Sequence, residues 1–312
     1  MDAAAITGGR AVLDQAYEAL EPGRVDEGME RLVLGLKTLR QKSAPRDWEL
    51  FCRTECISHP VRFLVHQDPL TERAFFKPRG YPGDAVLLDL FYGVEGVEHW
   101  VDSATDLGQQ IYRYTSNARA ARALRRRKDL LATIIDRVSD STEDTHIMTL
   151  GCGHLREAEQ SAAIRHRRVD RFLAVDRDPE SLRVVRDKFG PFGVETAEST
   201  VNELIAMADQ LGRFDLVYAA GPHDHLDRLT ATRLTEALFR TTRPGGLLLV
   251  TNFLDGIRDV GYMEAFMDWR LHYRSATDMF ALTSSIPEAE IGDRRTFSEE
   301  SGGIAFLSVR RR

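Results

Sequence analysis

Apolar residues recur at helical spacing up to about residue 115; beyond residue 145, short apolar runs alternate with helical segments. The first pattern predicts helices over Ala11–Leu20, Met29–Leu39 and roughly Asp47–Ile57. The last must stop before His59-Pro60, because the residue preceding a proline is driven out of helical geometry. The stretch Phe76–Asp84, FKPRGYPGD, holds two prolines and two glycines and reads as an ordered loop, since Phe75, Phe76 and Tyr81 give it something to bury. A charged helix over Arg119–Arg137 has Leu124, Leu130, Leu131, Ile134 and Ile135 as its apolar face. The second pattern predicts strands at Ile147–Leu150, Phe172–Val175, Val194–Ala197, Phe214–Ala219 and Leu247–Thr251. Between them, helices are predicted over Glu157–Ile164, Pro179–Phe189 and Leu229–Thr241. The runs Asp293–Phe297 and Ile304–Val309 flank SEESGG and form a hairpin. The expected fold is α/β: a Rossmann-like, doubly wound, mostly parallel sheet with a closing antiparallel hairpin strand, preceded by a helical N-terminal domain. The expected domains are residues 1–118, helical and carrying a lid or substrate loop, and residues 119–312, a ligand-binding sheet domain.

Composition narrows the function only by exclusion. The 312 residues are 43% hydrophobic and 29% charged with a net charge of −6, which fits neither a nucleic-acid binder nor a protein of acidic membrane surfaces. No apolar run approaches the roughly 20 residues of a membrane span and the N-terminus has no signal-peptide core, so a cytoplasmic location is expected. Cys52, Cys56, His59 and His66 invite a zinc reading, but their spacing matches no common zinc module, and cysteines four apart read better as a buried helix face. Arg125–Lys128 lacks interleaved aromatics and reads as a solvated helix face.

The chemistry-bearing stretch is MTLGCGHLREAE at 148–159, where a strand runs into Gly151-Cys152-Gly153. In open parallel sheets ligands bind beyond the carboxyl ends of the strands, beside the first. Asp176, 23 residues beyond Gly153, stands where a carboxylate grips ribose hydroxyls. A dinucleotide's pyrophosphate needs a small residue at position 156, and Arg156 is bulky. S-adenosylmethionine has no phosphate; the turn can meet its ammonium, and an arginine its carboxylate. A helix-start ion pair between Arg156 and Glu157 is the alternative.

The segments LGCGHLREAE, LAVDRDPESL, FDLVYAAGPHDHL, RPGGLLLVTNF and GYMEAFMDWRLHYR together resemble the class I S-adenosylmethionine-dependent methyltransferases. Within them the chain is similar to a bacterial group that includes 3-hydroxypalmitate methyl ester synthases; KPRGYPGD matches that group's KPRGYAGD element, and the likeness spans roughly residues 50–310. The resemblance implies S-adenosylmethionine as cofactor and methyl transfer as reaction. The cofactor set is then Gly151, Cys152, Gly153, Arg156, Asp176, Arg177, Thr200, Val201, Ala220 and Gly221, with Thr200 and Val201 against adenine and Ala220 and Gly221 facing the methionine part. Tyr81, with Asp84 nearby, is the candidate lid residue.

His223 and His225 replace aromatics of the group's usual segment. His223 is a candidate general base, since imidazole accepts protons near neutral pH; His223 and His225 as polar pocket liners, or as structural filler, are the alternatives, and a metal pair lacks further ligands nearby except Asp224 and Asp227. Tyr262, Phe266, Trp269, Arg270, Tyr273 and Arg274 follow the fifth strand as a candidate acceptor wall, an arginine receiving an anionic group; a packed core helix is the alternative. The leading expectation is methylation of a small molecule (at a carboxylate or hydroxyl oxygen, or a nitrogen) in specialised metabolism, with no nucleic acid or membrane partner, no metal, and a homodimer allowed. An RNA or protein methyltransferase and a non-catalytic S-adenosylmethionine-binding regulator are the alternatives.

Overall fold

The computed structural model describes residues 3–312. They form two compact units: the residues up to Leu124 with Gly256–Arg270, and Arg125–Asp255 with Leu271–Arg312. The division falls inside one helix, Arg119–Ser141, rather than at residue 118. The segment 256–270, placed by its sequence in the sheet domain, belongs to the helical unit.

The helical unit is built on the antiparallel pair Ala3–Leu20 and Val25–Lys42, which bury Leu13, Ala16, Leu20, Met29, Leu32 and Leu36. Short helices follow, several opened by a side-chain cap: Asp68 accepts from Leu70 N and Thr71 N, Asp84 from Leu87 N, and Thr105 from Gly108 N. Helix Pro45–Phe51 continues into a widened turn, Cys52–Cys56, that buries both thiols. Helix Val260–Phe266 packs tightly on Val25–Lys42; a Cβ at Gly261 would lie 2.7 Å from the Leu36 carbonyl carbon. Glu264 fixes it there, accepting both Arg40 Nε and Nη2 (2.8 and 2.9 Å) and Trp48 Nε1 (2.6 Å).

The second unit is a seven-stranded sheet: β1 (His146–Leu150), β2 (Arg171–Asp176), β3 (Val194–Glu198), β4 (Phe214–Ala220), β5 (Thr242–Phe253), β6 (Ile291–Ser298) and β7 (Ile304–Arg311). Their order is β3-β2-β1-β4-β5-β7-β6, the first five parallel and β7 antiparallel to both neighbours. The sheet is thus the mostly parallel one with a closing hairpin that the sequence predicts. The strands read as near-continuous apolar runs because both faces are covered; Met148, Leu150, Val175, Val217, Ala219, Leu248 and Val250 are core residues. The predicted helix Glu157–Ile164 is instead a short tight turn, Arg156–Glu159, and a separate helix, Ala162–Arg165. Asp136 divides them: its carboxylate accepts from Ser161 Oγ, Ala162 N and Ala163 N, starting a new helix where one was to continue. Among the described residues no helix is long and apolar enough to cross a membrane.

Candidate active site

Strand order reverses on either side of β1, the switch point beyond which parallel sheets of this kind bind ligands at the carboxyl ends of their strands. The turn after β1 is drawn over the end of β2, with Gly151 N and Cys152 N both donating to Val175 O (2.8 and 3.2 Å). Gly151 has φ +72°, and a Cβ there would lie 2.6 Å from Pro222 Cγ of the loop after β4, so two strand ends meet at a point only glycine allows. Asp176, closing β2, accepts from Gly153 N (2.8 Å) and Asp178 N (3.0 Å). It therefore braces the glycine turn, and burial raises its pKa. Burial and the neighbouring Asp176 and Glu157 carboxylates push the Cys152 thiol well up, leaving it neutral.

Arg156 is ion-paired with Glu159 (2.5 Å), not with Glu157. Glu157 turns inward and accepts the Tyr218 hydroxyl (2.8 Å); its burial raises its pKa, an effect opposed by the charges of Arg127 and Lys128. Arg177 is exposed at the end of β2. Ser199 N donates to Asp176 O, tying the end of β3 to that of β2. There Thr200 caps helix Val201–Met207 in a reciprocal box with Glu203, and Val201 packs against the core. Ala220 and Gly221 end β4 half-buried, Gly221 at φ +129°.

The loop 221–226 departs most from expectation. His223 is fully buried, and its Nε2 lies 3.0 Å from Thr235 Oγ1, whose own hydrogen goes to Ala231 O. The ring nitrogen is therefore the donor, and the ring is neutral. Burial and the Arg274 charge push its pKa down to about 3. The ring is thus withdrawn from solvent at the position where the sequence suggests a general base. His225 is exposed. Asp224, fully buried, accepts Phe253 N (2.7 Å), and its pKa is raised to about 7 by burial against the pull of Arg127 and Arg274.

Arg274 is buried too, but its guanidinium serves the chain itself: Nη1 donates to His223 O (2.6 Å) and Asn252 Oδ1, and Nη2 to Leu226 O (2.6 Å). These bonds hold the guanidinium that the sequence suggests as a receptor for an anionic group. The remaining wall candidates separate. Tyr262, Phe266 and Trp269 are core residues of the helical unit at 2%, 0% and 3% exposure, and Arg270 pairs there with Asp268 (3.6 Å). Tyr262 donates or accepts at Thr71 Oγ1 (2.8 Å) and lines a cavity of about 20 Å³ with Met29, Phe91 and Tyr114, room for about one water. Tyr273 is half-buried in the sheet unit.

In the loop KPRGYPGD, Lys77 pairs with Asp268 and Arg73 with Asp84 (3.0 Å), a Cβ at Gly83 would lie 3.2 Å from the Trp269 ring, and Tyr81 is half-exposed. The zinc candidates do not converge: His59 Nε2 meets Asp14, and His66 Nε2 meets Phe266 O. Among the described residues no group of three or more histidine, cysteine or acidic side chains is arranged to hold a metal. The basic run is not wholly solvated, because Arg127 is only 4% exposed. Arg127, Glu157, Tyr218, Asp224 and Asn252 are buried polar residues whose burial sequence reasoning did not anticipate. Only Tyr218 left a signal, a hydroxyl in the middle of a buried strand that had to find a partner.

Residues 147–246 match the model of a family described as a methyltransferase domain. The malonyl-[acyl-carrier protein] O-methyltransferase of Prosthecochloris aestuarii (strain DSM 271 / SK 413) is 25% identical over 185 residues, which are 58% of this chain and 64% of that protein. The chain thus spans less than two thirds of the curated relative it matches. Among solved structures, a possible exported protein from Bordetella parapertussis is similar over 98% of this chain and 96% of its own, with TM-score 0.54 and 14% identity, a likeness of fold. Magnesium protoporphyrin IX methyltransferase from Synechocystis PCC 6803 is similar over 73% of this chain and all of its own, with TM-score 0.47 and 11% identity. The matched segment holds the glycine turn and the parallel strands that follow it, so the sheet unit of this chain contains a segment similar to a methyltransferase domain.

Proposed function

We propose that the protein transfers a methyl group from S-adenosylmethionine to a small-molecule acceptor in specialised metabolism, in the cytoplasm, and that the acceptor atom is a carboxylate oxygen. The observation that carries this reading is the glycine turn braced by Asp176 at the break in strand order. Bound there, the cofactor supplies an electrophilic methyl group on a sulfonium. Asp176 would exchange part of its backbone bonding for the ribose hydroxyls, Thr200 and Val201 would flank the adenine, and Ala220 and Gly221 would face the amino-acid end. An in-line displacement would need the acceptor oxygen held in line with that methyl group and away from water. A carboxylate is already ionised, so no proton has to move. The withdrawal of His223 into the core favours this over a hydroxyl or amine acceptor, and the O-methyltransferase named among the relatives points the same way. Orientation then has to supply the rate, and well-aligned reactants gain about 7–11 kcal/mol in that way.

The test is incubation with methyl-labelled S-adenosylmethionine and a panel of fatty and hydroxy acids, acyl thioesters with a free carboxylate, phenols, amines, transfer RNA and protein lysate, read by mass spectrometry. A labelled methyl ester is expected. Label in RNA or protein refutes the small-molecule reading, and cofactor binding without label in any acceptor refutes catalysis.

A further inference from the structure

We infer that Arg274 is a positioning residue for the amino-acid end of the cofactor, acting through the loop 221–226. This deepens the proposed site and rests on the assignment of Ala220 and Gly221 to the methionine part. The loop is held from three directions. Arg274 grips it from one side, donating to the carbonyls of His223 and Leu226 at 2.6 Å each while Asn252 Oδ1 orients the guanidinium. From β5, Phe253 N donates to Asp224 Oδ1 (2.7 Å), and His272 N donates to Asp224 O (2.8 Å). From β1, Gly151 leaves just the space that Pro222 fills.

Arg274 itself is held in place: its amide donates to Phe253 O (3.1 Å), and Asn252 Nδ2 donates to Phe253 O and His272 O. A planar guanidinium spans two carbonyls several residues apart in one fixed geometry, which a single ammonium cannot reproduce. Gly221, at φ +129°, has no side chain to hold it, so its carbonyl and amide directions depend on what anchors the next residues. The guanidinium anchors both ends of that stretch, and Pro222 transmits its position to the glycine turn.

The experiment is calorimetric titration of native protein and Arg274→Lys with two ligands: S-adenosylhomocysteine, and methylthioadenosine, which lacks the amino-acid end. Native protein should prefer S-adenosylhomocysteine. In Arg274→Lys that ligand should weaken about tenfold or more while methylthioadenosine stays within about twofold. Equal weakening of both, or of neither, overturns the inference, because a general loss of stability does not distinguish the two ligands. If Arg274→Lys does not fold, Asn252→Ala, which removes the group orienting the guanidinium, must show the same selective loss or the inference fails. Native protein that binds both ligands equally refutes the methionine-side assignment, and native protein that binds neither refutes the cofactor site; either result removes the inference.

Discussion

Replacing Asp176 tests the cofactor site most directly, because the structure gives the carboxylate two separable duties. Its two oxygens accept the amides of Gly153 and Asp178 at 2.8 and 3.0 Å, at a position only 8% exposed. Hydrogen bonds to a charged group contribute about 1.5–3 kcal/mol, and a buried donor left unpaired costs about 1–3 kcal/mol. Asp176→Ala should therefore lower stability by about 2 kcal/mol or more through the two stranded amides. It should also weaken the cofactor by about 1.5–3 kcal/mol through lost ribose bonds, roughly a 10- to 150-fold loss in affinity. To separate the two effects, titrations are run well below the variant's melting temperature with S-adenosylhomocysteine and its 2′-deoxy and 3′-deoxy analogues. Native protein should lose affinity when the contacted hydroxyl is removed, and the variant should be indifferent. If native protein binds all three alike, or if the variant still discriminates among them, Asp176 does not hold the ribose and its role is confined to the turn.

Other consequences can be measured alongside. With His223 sealed and neutral, any acid limb on turnover between about pH 6 and 8, a span around the ordinary histidine pKa, should persist in His223→Gln, which should cost stability more than rate; an acid limb that disappears in the variant would restore the base. Burial holds His223 and His66 down to about 3 and about 4, below an unfolded value near 6.5. The stability they contribute is thus present above about pH 6.5 and is lost as pH falls through their folded values, and thermal melts from pH 7 to 4 should show His223→Gln with a shallower decline than native protein; parallel curves would contradict the depressed pKa. Gly151→Ala puts a Cβ 2.6 Å from Pro222 Cγ at φ +72°. It should lower stability by about 1–3 kcal/mol and abolish tight S-adenosylhomocysteine binding, whereas a variant with native affinity would show that the turn can relax.

The sheet was legible because burial on both faces writes strands as apolar runs, and Pro179–Phe189 was predicted to the residue because Asp178-Pro179 starts that helix and Gly190 follows its end. The helix expected after Glu157 was not, because the group that interrupts it, Asp136, lies 25 residues earlier in the sequence. The same applies to loop 221–226. Its histidine, aspartate and glycine announce chemistry by type, but which of them faces a ligand depends on Thr235, Asn252, Phe253 and Arg274, all distant in sequence. Residue type places the glycine turn and Asp176 at the carboxyl edge of the sheet, where the structure has them, but it does not show that His223 and Arg274 are buried.

The stretch GYMEAFMDWRLHYR shows why periodicity alone misleads. Its spacing correctly gives a helix with an apolar face, Val260–Phe266, but spacing says which face is apolar and nothing about which body covers it. The chain leaves the sheet after Phe253, contributes Gly256–Arg270 to the helical unit, and returns to pair Leu254 with Arg274. An excursion of this kind must be closed at its base against the entropy of its own loop, and the closing bonds are those that Asn252, Asp224 and Arg274 make. A residue that secures the base of an excursion has to be buried and multiply bonded, and Arg274 is both. The clamp fixes where β4 and β5 end, and the post-β4 loop inherits its geometry from that closure.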